Sequence, residues 1–217
     1  MIRIDLHTHS EASVDGGISP DEYAEILKNE KVDVLAITDH NRIDFAKGMQ
    51  KAFGEEYVII GEEISTTDGD IIGLYLHTKI EAGLSVERTI EEIRSQGGLV
   101  YVPHPYEKVR KGISRDVLAK IIDKVDIIEA HNGRALSKKN TVELETLSIK
   151  NNVAFCGSSD AHGFKGVGKT YSTIALRPNK ENLADLLKNG AIVNSRPPLI
   201  SYLYPKINRF KNFLRGH

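Results

Sequence analysis

Residues 2–10 read Ile2-Arg3-Ile4-Asp5-Leu6-His7-Thr8-His9-Ser10, a short apolar run that ends in two histidines separated by one residue. Residues i and i+2 of an extended segment point to the same side, so both imidazoles can reach one ion. A run this short and rich in isoleucine is typical of a buried strand. The stretch therefore predicts a strand, Ile2–Leu6, that carries His7 and His9 at its carboxyl end.

Eight further apolar runs follow, separated by amphipathic or polar stretches. They are Val34–Thr38, Tyr57–Gly61, Ile71–Leu76, Leu99–Val102, Asp126–Glu129, Val153–Cys156, Thr170–Leu176 and Ala191–Asn194. Helix signals lie between them: Ser19-Pro20-Asp21-Glu22 is a capping box, Ser85 can cap a second helix, and Asn179 can start another. Repeated strand–helix units predict a parallel sheet with right-handed crossovers. About seven such units favour a closed or nearly closed barrel.

Composition narrows the classes of function. The 217 residues suffice for one sizeable core, and the net charge of -1 gives no reason to expect a membrane or a general polyanion as partner. The single cysteine, Cys156, excludes an internal disulfide and a thiolate zinc cluster, which fits a reducing cytoplasm. The first residues lack the apolar run of a signal peptide, and no stretch is long enough to span a membrane, so we expect a cytoplasmic location.

The C-terminal extension, residues 196–217, has a different pattern. Pro205 can start a short helix that carries Ile207, Phe210 and Leu214 on one face and basic residues opposite. We expect this helix to pack on the barrel. The alternative is a basic surface that binds a partner, a membrane or nucleic acid.

Histidines and carboxylates recur just after the predicted strands. In a parallel barrel the carboxyl ends of the strands open on one face, so these groups would form one polar cluster. Without counter-ions such a cluster costs stability through desolvation and repulsion, and divalent metals remove that cost. Imidazole and carboxylate without thiolate suit zinc, manganese or iron. The residues at the strand ends are His7, His9, Asp39, His40, Glu62, Glu63, His77, His104, Glu129, His131, Asp160 and His162.

Six motifs, taken together, resemble the PHP (polymerase and histidinol phosphatase) family of metal-dependent phosphoesterases. They are Asp5-Leu6-His7-Thr8-His9-Ser10, Ile37-Thr38-Asp39-His40, Gly61-Glu62-Glu63-Ile64-Ser65, His104-Pro105, Ile128-Glu129-Ala130-His131-Asn132 and Gly157-Ser158-Ser159-Asp160-Ala161-His162. The resemblance implies an α/β fold, a distorted TIM-like (β/α)7 barrel over residues 1–195. It also implies two or three divalent metal ions at the mouth of the barrel.

The resemblance assigns ligands to three metal positions. The first is implied to take His7, His9, Glu63 and Asp160. The second takes Glu63, His77 and His104, and the third takes Asp15, His40 and His162. Many relatives carry histidine where this chain has Asp70, at the start of the fourth strand, and others place the ligand at that strand's end, as His77 would be. Asp39 is expected to orient a neighbouring imidazole rather than bind metal.

The implied reaction is hydrolysis of a phosphomonoester by a metal-bound hydroxide, with Glu63 and Asp160 as catalytic carboxylates. Asp160 is expected to orient the water. Arg134 is the best candidate to bind the phosphate, because a guanidinium can pair with it through two hydrogen bonds. His131 and Asn132 are expected to face the substrate, whereas Arg42, Lys165 and Lys169 are weaker candidates for phosphate binding.

Two other functions stay open. One is an amidohydrolase-type reaction, although the lysine that often bridges two metals in such barrels does not follow a strand here. The other is a PHP barrel that serves as a non-catalytic scaffold in a nucleic-acid complex. For the phosphoesterase, the substrate is expected to be a small nucleotide or a sugar or amino-alcohol phosphate, and nucleic acid is expected only as a substrate. The sequence does not predict the oligomeric state.

Overall fold

A computed structural model describes residues 1–214. The described strands are β1 (Ile2–Thr8), β2 (Val34–Ile37), β3 (Val58–Thr66), β4 (Gly69–Leu74), β5 (Leu99–Val102), β6 (Ile127–Asn132), β7 (Ala154–Ser158), β8 (Thr170–Ile174) and β9 (Ala191–Asn194). The α-helices are α1 (Pro20–Lys28), α2 (Asp44–Phe53), α3 (Val86–Ser95), α4 (Arg115–Ile121), α5 (Thr141–Lys150), α6 (Leu183–Lys188) and α7 (Tyr204–Leu214). All nine apolar runs lie on strands, which confirms that part of the prediction.

The helix starts follow local capping chemistry. The Ser19 hydroxyl accepts a hydrogen bond from the Glu22 N–H, and the Glu22 carboxylate accepts one from the Ser19 N–H, so the predicted capping box is confirmed. Ser85 caps α3 in the same way through its hydroxyl. The helix predicted to start at Asn179 begins three residues later, after Asn182. The reason is that the Asn179 side chain accepts hydrogen bonds from the next backbone N–H groups and forms a turn.

The strands form one sheet in the order β7-β6-β5-β4-β3-β2-β1-β8-β9. The pairs β1/β2, β2/β3, β5/β6 and β6/β7 are parallel. The pairs β3/β4, β4/β5, β1/β8 and β8/β9 are antiparallel, so the prediction of a parallel sheet is wrong at these four pairings. The cause at β4 is a tight turn at Thr67-Asp68, because only antiparallel strands can be joined so closely.

The sheet curls into a nearly closed barrel. Beyond the end of β7, the Ala161 carbonyl accepts a hydrogen bond from the His9 N–H at 2.9 Å, which brings β7 beside β1. A larger buried apolar cluster joins strands to α1–α5, and a smaller one joins strands to α6. The predicted TIM-like α/β barrel is confirmed. Its mouth gathers the carboxyl ends of the parallel strands.

Helix α7 lies on the mouth of the barrel through its polar side. The Asn208 side chain donates hydrogen bonds to the carbonyls of Asp15 and His162, at 3.0 and 2.9 Å. Of the three apolar residues predicted to hold the helix on the barrel, Phe210 and Leu214 are exposed and Ile207 is half-buried. The last three residues of the extension lie outside the described residues. Within residues 1–214, no helix has the length and apolar character needed to cross a membrane.

Candidate metal centre

The Glu63 carboxylate, in the last half of β3, lies at the centre of a buried group of imidazoles. Its Oε2 atom is 3.4 Å from His7 Nε2, 3.3 Å from His9 Nε2 and 3.3 Å from His40 Nδ1. Its Oε1 atom is 2.9 Å from His104 Nε2. One carboxylate therefore faces four imidazole nitrogens from three segments of the chain, which is the geometry of a bridging ligand.

Asp160 approaches the same imidazoles from the end of β7. Its Oδ1 atom is 3.7 Å from His7 Nε2 and 3.6 Å from His9 Nε2. The two histidine nitrogens themselves lie 3.0 Å apart. The structure thus brings together the four residues of the first implied metal position, His7, His9, Glu63 and Asp160, and each is at most 1% exposed.

The third implied set also converges. Asp15 lies in the loop after β1, and its Oδ1 atom is 3.5 Å from both His40 Nε2 and His162 Nε2. A nitrogen of His9 falls within the same group, whose ligand atoms lie within 4.8 Å of one another. Asp15 and His162 are 3% exposed, and His40 is partly exposed at the edge.

The second implied set is only partly assembled, because His77 does not reach it. Strand β4 runs antiparallel to β3, with Leu74 opposite Gly61, so its carboxyl end lies at the far end of the barrel. His77 is exposed there, and its N–H donates to the side chain of Gln96. The expectation that His77 joins Glu63 and His104 is corrected by the direction of this strand.

Asp70, and not His77, lies at the mouth of the barrel beside His40 and Glu63. It stands at the start of β4, which is the end of that strand at the mouth, and an oxygen of Asp70 lies within 4.8 Å of ligand atoms of His40 and Glu63. Asp70 is 3% exposed, and its Oδ1 atom has no hydrogen-bond partner within residues 1–214. A buried carboxylate oxygen without a partner is costly, and a bound cation would supply one.

Glu129, on β6, contacts two of the clustered histidines, His7 and His104. Its Oε1 atom lies 3.1 Å from His7 Nδ1 and accepts the Tyr101 hydroxyl at 2.8 Å. Its Oε2 atom accepts the His104 N–H and the Asn132 side-chain amide. A carboxylate on the second nitrogen of a ligating histidine fixes its tautomer and orientation. Sequence reasoning noted Glu129 at a strand end without giving it this role.

Asp39 was expected to orient an imidazole, and the structure places it differently. Its carboxylate accepts hydrogen bonds from the Ser10 N–H, at 2.7 Å, and from the Ser10 hydroxyl. Asp39 therefore anchors the turn that follows His9 rather than an imidazole ring. This detail depends on how β1 and β2 end side by side, which no local pattern predicts.

The electrostatics of the cluster follow from burial opposed by close charges. Burial raises the pKa of the Asp160 carboxyl, but Arg134 and His7 outweigh it and hold that pKa well below its usual range. The same balance, with His40 and His7 as the nearby cations, lowers the pKa of Glu63. Burial and the charge of His9 lower the pKa of His162 to about 4, which favours a neutral imidazole. At His7 and His9 burial lowers the pKa, but nearby carboxylates outweigh it and raise the pKa, to about 9 for His9. Because ionised carboxylates and neutral imidazoles are the forms that bind metal, a metal ion would displace a proton from each of these two rings.

Two guanidinium groups border the cluster. Arg134 Nη1 is 3.3 Å from both oxygens of Asp160 and 3.2 Å from His162 Nδ1, so the expected phosphate-binding residue lies at the mouth. Arg110, which sequence reasoning missed, donates to Asp160 Oδ2 at 2.7 Å and to the Asn132 side chain. Arg110 lies on a 3-10 helix, Lys108–Arg110, and no motif distinguished it from other basic residues near the strand ends.

The weaker candidates for phosphate binding lie elsewhere. Arg42 pairs with Asp44 at 2.7 Å and donates to the Ala12 carbonyl. Lys165 and Lys169 line a separate depression together with Lys31. None of these three cations borders the cavity over the metal cluster.

Asn132 and His131 point in different directions. The Asn132 side chain donates to Glu129 at 2.8 Å and to Asp160 at 3.3 Å, so it belongs to the cluster. His131 Nε2 instead lies 2.7 Å from Glu145 on α5, and its Nδ1 accepts a hydrogen bond from Asn194. The register of β6 against β7 shifts between Glu129 and His131, so this irregularity turns His131 away from the ligands.

A cavity of about 340 Å³ opens above the cluster, which is within the usual size range of small-molecule sites. Seven of the clustered acids and imidazoles line it, and they are Asp15, His40, Glu63, Asp70, His104, Asp160 and His162. The donor set of imidazoles and carboxylates without thiolate fits zinc, manganese or iron. The residues present therefore fit a centre of divalent metal ions that is open to a small substrate.

Comparison with known proteins gives a consistent result. A family model described as "PHP domain" matches residues 5–188. The uncharacterized protein MJ1587 of Methanocaldococcus jannaschii is 38% identical over 144 residues, which cover 60% of this chain and 84% of that protein.

Solved structures of similar fold come from several kinds of enzyme. A two-domain protein of Bacteroides vulgatus that contains a predicted PHP-like metal-dependent phosphoesterase has a TM-score of 0.69 at 18% identity, and the match covers 89% of this chain and 65% of that one. Endonuclease Q of Pyrococcus furiosus has a TM-score of 0.64 at 14% identity, covering 88% and 57%. An amidohydrolase of Chromobacterium violaceum has 0.61 at 14%, covering 94% and 96%. At these identities the likeness shows the fold alone.

Proposed function

The chain belongs to the PHP domain family, and from this premise we propose that it is a metal-dependent phosphoesterase that hydrolyses a phosphomonoester. The observation that carries the proposal is the convergence of Glu63 and Asp160 on the same imidazoles, with Arg134 beside them. Metal ligands and a phosphate-binding cation thus border one cavity.

The three proposed metal positions use nine residues of the mouth, and they follow the family resemblance with one change, Asp70 in place of His77. The first position takes His7, His9, Glu63 and Asp160, the second takes Glu63, Asp70 and His104, and the third takes Asp15, His40 and His162. Bound divalent ions would supply Lewis acidity, would lower the pKa of a coordinated water and would neutralise charge on the phosphoryl oxygens.

Asp160 is proposed to orient the attacking water. The lowered pKa of this carboxyl keeps it ionised at neutral pH. Arg110 and Asn132 hold its Oδ2 atom through hydrogen bonds, which fixes the direction of the carboxylate plane. A carboxylate that is held in this way loses little entropy when it orients the water.

Arg134 is proposed to bind the non-bridging phosphoryl oxygens. Its Nη1 atom lies 3.3 Å from both oxygens of Asp160, so a small rotation of the side chain lets it donate to a phosphate beside that carboxylate. Guanidinium–phosphate pairs form two parallel hydrogen bonds, which orients the phosphoryl group as well as binding it.

The test is phosphate release from a panel of phosphomonoesters, with manganese, zinc and iron supplied in turn. The wild-type protein is expected to release phosphate with at least one metal, and Asp160→Asn is expected to be slower by about a hundredfold or more. Arg42→Ala is the matched control for Arg134→Ala, because Arg42 lies away from the cavity and pairs with Asp44. Only the Arg134 variant is expected to weaken turnover of phosphate esters.

Two results would reject the proposal. Hydrolysis of amides or lactones without any release of phosphate would favour the amidohydrolase alternative, for which a structural neighbour of that kind exists. Less than one metal ion per chain, together with no hydrolysis under any divalent metal, would favour a non-catalytic scaffold. The convergence of His7, His9, Glu63 and Asp160 speaks against the scaffold.

A further inference from the structure

The cavity above the metal cluster has basic walls from two separate segments. Next to Asp70, the 3-10 helix and the residue after it contribute Arg110 and Lys111. Next to Asp15, helix α7 contributes Lys206 and Arg209. With Arg134, five cations border a single cavity in a chain whose net charge is -1, so overall composition does not account for their concentration.

The five cations differ in how far they are already neutralised. Arg110 and Arg134 pair with Asp160, and Arg209 pairs with Asp15 at 2.7 Å. Within residues 1–214, neither Lys111 nor Lys206 has a carboxylate oxygen within 4 Å. These two ammonium groups at the rim are the charges that the protein itself leaves available to a ligand.

Helix α7 packs closely against the barrel. A Cβ atom at Gly163 would lie 2.6 Å from the ring of Tyr204, and one at Gly17 would lie 2.7 Å from the Asn208 side chain. The absence of side chains at these two positions lets the helix approach the mouth. The hydrogen bonds of Asn208 to the carbonyls of Asp15 and His162 then fix it there.

We propose that Lys206 and Arg209 of α7, together with Lys111, form a second anion-binding subsite, so that the preferred substrate carries a second phosphate group besides the one that is hydrolysed. This inference rests on the proposed phosphoesterase function. The metal cluster and Arg134 suffice for one phosphoryl group at the floor of the cavity. A neutral leaving group would have no use for further cations at the rim, whereas a second phosphate would pair with them.

Two of the three residues of the subsite, Lys206 and Arg209, belong to the C-terminal extension of this chain. Helix α7 begins at Tyr204, beyond the residues 5–188 that match the family model. The barrel supplies the reaction, and the extension supplies a wall that selects among phosphorylated molecules. This division predicts that substrate choice and metal binding can be changed independently.

The test compares the binding of two phosphonates that cannot be hydrolysed, propane-1,3-bisphosphonate and propylphosphonate, by calorimetry on the manganese-loaded and the metal-free protein. The wild-type protein is expected to bind the bisphosphonate about tenfold or more tightly than the monophosphonate in both states. Lys206→Ala and Lys111→Ala are each expected to reduce that ratio by about threefold to tenfold, with little effect on the monophosphonate.

Lys211→Ala is the matched control, because Lys211 lies on the same helix but does not line the cavity. It is expected to keep the wild-type ratio. Equal affinities of the wild-type protein for the two phosphonates, or an unchanged ratio in both the Lys206 and the Lys111 variants, would overturn the inference. If the wild-type protein preferred the bisphosphonate but hydrolysed no phosphate ester, the subsite would be supported and the proposed reaction would be rejected. Failure of the inference and failure of the proposed function are therefore distinguishable.

Discussion

At the scale of single residues, the centre depends on which end of each strand faces the mouth. Asp70 lies at the start of β4 and His77 lies beyond its end, and both are residue types that bind metal. Only Asp70 is buried at the mouth, with an oxygen that lacks a partner within the described chain. A ligand search by residue type alone cannot choose between them.

The two residues can be tested directly. Asp70→Ala is expected to lower the metal content of the purified protein by about one ion per chain, because the second position would keep only Glu63 and His104. His77→Ala is its control and is expected to leave the metal content unchanged, since His77 is exposed at the far end of the barrel. Elemental analysis after dialysis measures both. Loss of an ion in the His77 variant alone would contradict the assignment.

Glu129 offers a second test at this scale. A glutamine side chain has an NH₂ group in place of one of the two oxygens. In one orientation this group meets the His104 N–H and the Asn132 amide, whose hydrogen bonds an oxygen now accepts, and in the other it lies against His7. Glu129→Gln is expected to weaken metal binding by about tenfold to a hundredfold. Glu145→Gln, which alters the partner of the outward-facing His131, is the control and should bind metal as the wild-type protein does. Competitive titration with a chelating dye gives both affinities, and similar values for the two variants would argue against the role of Glu129.

At the scale of elements, glycines show where the packing has room and where it has none. Gly48 lies inside α2, and a Cβ atom there would meet nothing within 4 Å. Gly157 lies on β7, and a Cβ atom there would come within 2.5 Å of Ile192. Helices and strands of one barrel therefore tolerate the same substitution very differently.

Gly48→Ala is expected to raise the free energy of unfolding by about 0.5–1 kcal/mol, because glycine in a helix interior costs conformational entropy and the added methyl group has open space. Gly157→Ala is expected to lower the free energy of unfolding by about 1–3 kcal/mol, because the methyl group overpacks against β9. Urea denaturation of both variants measures the differences. If the Gly157 substitution raised the free energy of unfolding, β7 and β9 would have room for the added methyl group, contrary to the structure.

At the scale of the whole molecule, the folded barrel encloses polar side chains among buried apolar residues. Cys156 is fully buried on β7, and burial together with the charge of Glu129 raises the pKa of its thiol to about 12. The thiol is therefore neutral and inaccessible in the folded state. It becomes reactive only when the barrel opens.

Cys156 is thus expected to react with a thiol reagent in proportion to the population of the unfolded chain. Metal ions that bind only the folded state should slow the labelling, because they lower the population of the unfolded chain. From the ordinary thiol pKa of 9.0 up to about 12, the thiol ionises when unfolded and stays neutral when folded, so rising pH favours unfolding in that window. Absorbance of the released dye anion follows the reaction, with the protein in concentrated guanidinium chloride as the fully reactive control. Rapid labelling of metal-loaded protein at pH 8 would contradict the enclosed position.

The sequence by itself determined the local features. Apolar runs predicted the nine strands, and capping residues predicted the starts of α1 and α3. The resemblance to the PHP family implied the first set of ligands, His7, His9, Glu63 and Asp160, and the structure brings these residues together. The strands and the helix starts depend on residues that are close together in the chain. Periodicity and motif spacing record such relations well.

Only the tertiary structure decided the rest. The reversal of β4 brought Asp70 rather than His77 to the mouth, and the irregularity in β6 turned His131 outward. Arg110 and helix α7 reached the cavity from segments that no motif marks. The physical reason is that strand direction, register shifts and the docking of a terminal helix depend on contacts between distant residues, whereas a sequence pattern carries information only about neighbours along the chain.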